Sequence, residues 1–213
     1  MDISGPPLSG RKAQAARNDE LILAAARAVF IADPGAPIAA VAERAGVGIS
    51  ALYRRYASKE ILLQHLCGDG LRRYIDAVEA ALAVTDDPWG SFVQFMNDCL
   101  DSGTSSLTVR LAGTFTPTEE LFHQSAHASE LTVRLFERTV ADGCLRPGIS
   151  VSDVAMLQEQ LTAINIGDER RTNQLRHRYL ALMLDALHVP SEAGELPGPP
   201  PAEEELVQRW IRS

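Results

Sequence analysis

The sequence predicts an all-α protein of about nine helices, and three observations carry that prediction. Apolar residues recur at three- and four-residue spacing through nearly every segment, and nowhere in the strict alternation of a half-buried strand. The segment boundaries carry helix punctuation, such as Asp33-Pro34-Gly35, Asp87-Pro88 and Ser150-x-x-Asp153. Hydrophobic residues make up 46% and charged residues 23% of 213, a composition that can bury a real core in one domain or two small ones.

In chain order, residues 1–14 are small, polar and Pro/Gly-containing, which predicts a disordered arm. A helix over 15–31 follows, with Leu21, Ile22, Ala25, Ala28 and Val29 as its inward stripe, and Asp33-Pro34-Gly35 stops it. Two short helices then flank a turn at Gly46, spanning Pro37 to Tyr56. Ser58 is an N-cap for a long helix over 59–84, whose apolar side is Ile61, Leu62, His65, Leu66, Tyr74, Ile75 and Val78. Asp87-Pro88 opens a helix to about Asp101, and a shorter one is expected over 105–113. Thr116-Pro117-Thr118-Glu119 reads as a capping box opening a helix to about Asp142. Ser150-x-x-Asp153 opens the next, and Gly167-Asp168 separates it from a last major helix over 169–188. Residues 190–202 form a Pro-rich linker, and the final EEELVQRWIRS has the pattern of a short docking helix. The expected organisation is an arm (1–14), a three-helix head (15–76), a helical body (77–189) and a Pro-rich tail (190–213).

Charge and cysteine usage narrow the function classes. The net charge is −8, yet residues 1–60 carry eight Lys/Arg against six Asp/Glu, so a mildly basic head sits on an acidic body. Cys67, Cys99 and Cys144 are far apart with no CxxC pair, which suggests reduced packing residues. Residues 1–10 lack the apolar run of a signal peptide, and no stretch approaches the ~18 apolar residues of a membrane span. A cytoplasmic location, no membrane contact and no cofactor are therefore expected.

The most informative stretch is Pro37–Tyr56. Ile38, Val41, Ala42 and Ala45 give the first short helix one small apolar face. In the second, at about 100° per residue, Ile49, Leu52, Tyr53 and Tyr56 gather on one side and Ser50, Ala51, Arg54 and Arg55 on the other. A short helix with an apolar back and a front of two arginines, a hydroxyl and a methyl suits the DNA major groove. An ordinary αα-hairpin with a solvated charged face is the bland alternative. Lys59 stands in the first turn of the following helix, where a cation opposes the helix dipole, so a nearby phosphate is a better reason for it than helix stability, with plain solvent exposure an equal alternative.

The combination IAAVAERAGV, ISALYRRY and ASKEILLQHL resembles the N-terminal domain of TetR-type transcriptional regulators, on Ile38, Val41, Ala42, Ala45, Gly46, Val47, Leu52, Tyr53, Tyr56, Ser58, Lys59, Glu60 and Leu63. The resemblance covers about residues 17–65. It implies that Tyr53 and Lys59 bind backbone phosphates and that residues from Ile49 to Arg55, with Tyr56 beside them, form the DNA-facing element. Pro37 and Gly48 stand where such regulators usually cap their motif helices with Ser or Thr, and Ala51 stands for a common threonine. These departures bear on the operator sequence rather than on DNA binding itself.

The resemblance further implies a dimer built on the last two large helices, with Leu175, Tyr179, Leu182, Met183 and Ala186 at the interface, gripping a palindromic operator of double-stranded DNA. It implies a repressor whose small hydrophobic effector sits among the middle helices. Trp89, Phe92, Phe95, Met96, Phe115, Phe122 and Met156 concentrate flat and flexible side chains there, with His123 and Asn165 as polar partners and Gln94 a weaker one. Core packing is the better explanation of any single one of these. Two rival classes remain open in the residues: a helical enzyme or metal protein using the His123/His127 pair at i, i+4, and an adaptor whose basic hairpin binds protein. The first lacks a nucleophile elbow, a phosphate loop and the glutamate that zinc helices place beside their first histidine, so neither catalysis nor a metal is expected.

Overall fold

The computed structural model describes residues 10–103, 111, 113–188, 196–202, 204 and 205, with side chains from residue 17 onward. Eight helices are present among the described residues: α1 (Gly10–Ala32), α2 (Ile38–Ala45), α3 (Ile49–Arg55), α4 (Lys59–Ala83), α5 (Pro88–Ser102), α6 (Glu119–Ala141), α7 (Val151–Thr162) and α8 (Glu169–Leu187). The only extended pairing among them is an isolated antiparallel bridge between Leu145 and His188. The all-α expectation holds. Of the short helix expected over 105–113 only residues 111 and 113 are described, and of the C-terminal helix expected over 203–213 only 204 and 205; the rest of both lies outside the described residues, as does most of the expected arm. α1 begins at Gly10, so residues 10–14 are helical rather than part of that arm.

The chain divides into two compact units, Met1–Leu66 and Cys67–Ser213. In the first, the core is Ile22, Ala25, Ala26 and Phe30 of α1, Ile38, Val41 and Ala42 of α2, Leu52 and Tyr56 from and just after α3, and Leu62, Leu63 and Leu66 of α4. Leu21 is 54% exposed and does not belong to the stripe. Its place is taken by Ala26 and Phe30, because the 22–26–30 row continues from Ile22, whereas Leu21 is turned about 100° away.

Turn chemistry fixes the short helices. Gly46 adopts φ 65°, ψ 28°, the left-handed conformation that costs a residue with a Cβ about 1–2 kcal/mol. Its N–H donates to Glu43 O (3.1 Å) while that of Val47 donates to Ala42 O (3.0 Å), the paired bonds of a Schellman cap. α2 and α3 start at Pro37 and Gly48, neither of which supplies a side-chain cap, and both helices form regardless. Ser58 Oγ accepts from the Ile61 N–H (3.1 Å), starting α4 as expected.

In the second unit, Val78, Phe92, Phe95, Met96, Leu131, Leu135, Val154, Leu161, Leu180 and Leu184 belong to one apolar core drawn from all five helices. Asp87 caps α5 through the Gly90 N–H (2.8 Å), and a Cβ on Gly90 would meet that carboxylate at 2.0 Å, so a larger residue there would force the capping side chain to shift. The Ser150/Asp153 capping box forms in both directions. α6 is capped by Thr118, which accepts from Leu121 N–H, and not by Thr116, so it starts two residues later than expected.

Two arginines close helix ends that sequence spacing leaves open. Arg138 of α6 donates to the carbonyls of Ala81, Leu82 and Val84 (2.9, 3.0 and 2.8 Å) and to Ser91 Oγ (2.6 Å), covering the C-terminal acceptors of α4. Arg176 of α8 does the same for Thr162 and Ile164 at the end of α7.

Candidate nucleic-acid interface

α3 is seven residues long, and its surroundings decide which of them face outward. Leu52 is fully buried and Tyr56, just past the C-terminus, is 1% exposed, with its ring edge-on to His65 at 5.3 Å. The apolar back is therefore narrower than the sequence implies. Ile49 (41%) and Tyr53 (47%) are exposed, and so are Ser50, Arg54 and Arg55; Ala51 is half-buried. Tyr56 is a core residue that holds the helix in place, so its assignment to the DNA-facing set is corrected: no atom of weight in its ring reaches the surface. Ile49 moves the other way, from the back of the helix to its outer side.

The two arginines differ in a way their adjacency conceals. Arg55 Nε donates to Asp19 Oδ1 of α1 at 2.6 Å, and its guanidinium lies 5.5 Å above the Tyr56 ring. The hydrogen bond to Asp19 raises the Arg55 pKa, against a smaller lowering by burial. Arg54 is exposed, one residue earlier on the same short helix. Both lie in the last turn of α3, where a cation also complements the helix dipole.

Lys59 is also tied down. Its ammonium donates to Pro34 O (2.9 Å) and Ala36 O (2.8 Å) and lies 5.0 Å from the centre of the Phe30 ring. A cation in the first turn of a helix is thus accounted for by two backbone carbonyls of the α1–α2 turn, and no phosphate is needed to explain it. The sequence gives no local sign of this, because Lys59 and its acceptors are 23 and 25 residues apart.

In the second unit, the residues grouped as an effector pocket do not come together as a set. Phe92, Phe95 and Met96 are buried in the core, Phe115 is buried, and the Trp89 ring lies tilted against those of His188 (4.5 Å) and Phe92 (5.8 Å). Met156 is half-buried. Phe122 is 60% exposed, and His123 and Asn165 are exposed as well, so these three cannot line an interior site. They fall on the outward side of α6 and in the loop after α7. Gln94 is also exposed and donates to Asp98 (2.8 Å). Polar groups that do reach the core were not singled out by the sequence. Tyr74 Oη is hydrogen-bonded to Thr132 Oγ1 (2.9 Å), and the Gln158 amide donates to Met96 Sδ (3.0 Å). Burial pushes the Tyr74 phenol up, and it pushes the thiols of Cys67 and Cys99 up to about 12.

On α8, Leu175 is half-buried while Tyr179, Leu182 and Ala186 are exposed, a stripe at i, i+4, i+7 and i+11. Met183, grouped with them in the sequence, packs instead against the core. His123 and His127 stay on the surface, and among the described residues no group of three or more His, Cys, Asp or Glu is placed to hold a metal ion. No helix among the described residues is long and apolar enough to cross a membrane.

With this geometry in place, comparison with known proteins is specific. Residues 22–66 match the family described as bacterial regulatory proteins, tetR family. The chain has the fold of the TetR-type regulators. A TetR transcription regulatory protein from Mycobacterium vanbaalenii is 25% identical, with a TM-score of 0.56 over 84% of this chain and 99% of that one. A TetR transcriptional regulator from Streptomyces coelicolor is 23% identical, with a TM-score of 0.56 over 82% and 99%. The TetR-like regulator LfrR from Mycobacterium smegmatis, solved in complex with proflavine, is 22% identical, with a TM-score of 0.57 over 78% and 95%. Among curated proteins, none matches the chain by sequence. The matched segment contains α2, the Gly46 turn, α3 and the Lys59 clamp, so the TetR-type helix-turn-helix is the element whose outward residues are Ile49, Ser50, Tyr53, Arg54 and Arg55.

Proposed function

We propose that the protein is a ligand-responsive transcriptional repressor that binds a palindromic operator as a homodimer in the cytoplasm. The observation that carries this reading is the outward set on α3, with Arg54, Arg55, Ser50, Tyr53 and Ile49 exposed on a helix too short to have any other core. Arginine offers base edges or phosphates its donor fork, serine and the tyrosine hydroxyl offer single hydrogen bonds, and isoleucine offers apolar contact to a thymine methyl. Tyr53, Arg54 and Arg55 are the proposed DNA contacts, while Lys59 and Tyr56 shape the element that presents them.

Dimerisation is supported by the α8 stripe of Tyr179, Leu182 and Ala186, which are exposed, and Leu175, which is half-buried, so that apolar surface is left open to a partner. A two-fold axis there brings two copies of the same helix together, and a two-fold protein reads a palindrome. Ligand response is supported by the composition of the second unit's core, where flat and flexible apolar side chains meet the Tyr74, Thr132 and Gln158 polar groups. Proflavine bound to the LfrR structure is one instance of a flat aromatic ligand in this fold.

The experiment is selection of duplex DNA from a random pool by the full chain, followed by gel shifts on the enriched site across a salt series. Enrichment of an inverted repeat, with affinity reduced at least ten-fold by Arg54→Ala, supports the reading. Binding that is steeply salt-dependent with no sequence preference contradicts it, because that is the signature of phosphate attraction alone.

A further inference from the structure

We infer that Asp19 is a positioning residue for DNA reading, holding Arg55 by its Nε so that the guanidinium's two terminal nitrogens are presented in one fixed orientation. The inference rests on the DNA-binding reading and deepens it by separating the two arginines of α3 into different roles. A guanidinium has five N–H groups in a planar fork, and its Nε–H points along one edge. A carboxylate bound there, at 2.6 Å, leaves the four N–H groups of the terminal nitrogens. Among the described residues these have no hydrogen-bond partner. The face of the Tyr56 ring, 5.5 Å from Cζ, holds the plane of the same group from a second side. Asp19 is itself the less exposed partner, at 24% against 53% for Arg55, so the anchor is the fixed end and the fork the solvent end.

An exposed ion pair contributes little to stability. Its effect here is geometric. A long side chain with free rotamers gives up conformational freedom when it docks on a base, and a chain already held at Nε gives up less. The free fork matches the O6/N7 acceptor pair of guanine in the major groove. Arg54, which has no such anchor in Asp19, follows phosphate or base with equal ease. The structure thus assigns base discrimination to Arg55 with Asp19, and general affinity to Arg54.

The assay is fluorescence anisotropy of the full chain on its selected operator and on all single-base-pair variants of one half-site, at fixed salt, with helicity checked by circular dichroism. Asp19→Ala is expected to flatten the preference at one guanine-containing base pair by roughly ten-fold. The same pair should be flattened by Arg55→Ala, while binding to random duplex is unchanged or tighter because a negative charge is gone. Asp19→Asn, whose Oδ1 still accepts from Nε, is expected to keep the preference. If Asp19→Ala fails to fold, Arg55→Lys decides: it keeps the charge, loses the fork, and should lose the preference. Wild-type preference in Asp19→Ala or in Arg55→Lys overturns the assignment, as does an equal loss at every position, which marks a mere α1–α3 staple. A wild-type chain that enriches no sequence at all sinks the parent reading instead, and the two failures are distinguishable.

Discussion

Replacing Lys59 by methionine separates two explanations of the same residue, because a phosphate contact and a backbone clamp respond differently to it. Methionine keeps an unbranched apolar stem but removes the donors that reach Pro34 O and Ala36 O at 2.9 and 2.8 Å. A hydrogen bond from a charged donor contributes about 1.5–3 kcal/mol net, and the lower end applies to a half-buried ammonium. The cation over the Phe30 ring, at 5.0 Å, adds about 0.5–1 kcal/mol. Removing a cation from the first turn of α4 returns about 0.3–1 kcal/mol. The net cost to the α1–α2 turn is about 2.5–3.7 kcal/mol. Every 1.4 kcal/mol is ten-fold, so amide hydrogen-exchange protection in peptides covering residues 22–45 should fall about sixty- to four-hundred-fold. The second unit's core should keep its protection. DNA affinity should fall as well, because α2 carries α3. Unchanged protection over 22–45 together with lost DNA binding would refute the clamp and return Lys59 to a direct phosphate contact.

Three further outcomes follow from the second unit. Leu182→Glu, in the exposed α8 stripe, should convert a dimer to monomer at micromolar concentration in sedimentation velocity, since a two-fold axis brings the two carboxylates toward each other; a dimer of unchanged affinity removes α8 from the interface. Arg138→Met leaves the carbonyls of Ala81, Leu82 and Val84 without their donor and should cost about 2–4 kcal/mol, lowering Tm by roughly 5–15 °C in calorimetry; a shift under ~2 °C means solvent already satisfies that helix end. Burial holds the Cys67 and Cys99 thiols up to about 12 against an ordinary 9.0, so the folded state keeps protons that the unfolded chain releases. Their contribution is full below pH 9.0 and is lost as pH rises toward 12, on the order of 2 kcal/mol per thiol by about pH 10.5. Urea midpoints should therefore drop between pH 8 and 10.5, and drop less in Cys67→Ala/Cys99→Ala; equal drops in both chains contradict the burial argument.

The features legible in the sequence are those whose partners lie within one helical turn. The Ser58 cap, the Asp87 cap, the Ser150/Asp153 box and the left-handed Gly46 are each set by residues two to four positions apart, and each was found where the sequence places it. Thr116 against Thr118 shows the limit, since both sit one residue from Pro117 and both have a third neighbour able to complete a cap. Thr118 is the cap observed, and Glu119 and Glu120 then fall in the first turn of α6, where the dipole favours them. Periodicity was also sound for the core rows of the long helices but not at their margins. Leu21, Phe122 and Ile49 are as apolar as their buried neighbours, and only packing against other helices shows that they lie outside the row.

What the sequence could not supply are contacts between a side chain and something far along the chain. Arg138 and its acceptors are 47 to 57 residues apart, and Arg55 and Asp19 are 36 apart. In these cases the residue type was visible while its role was not, because a carbonyl or carboxylate acceptor has no periodicity to betray it. For the nucleic-acid interface this has a definite consequence. Counted by charge, α3 offers two equivalent arginines, and Lys59 adds a third cation. Placed in the fold, Lys59 serves the backbone, Arg55 is held by Asp19, and Arg54 is the cation of the three that stands exposed with neither of those ties. Neutralising each one therefore removes a different quantity: the stability of the head, the choice of base, and the strength of attraction to phosphate. A substitution series that treated them as a single basic patch would average three effects and identify none.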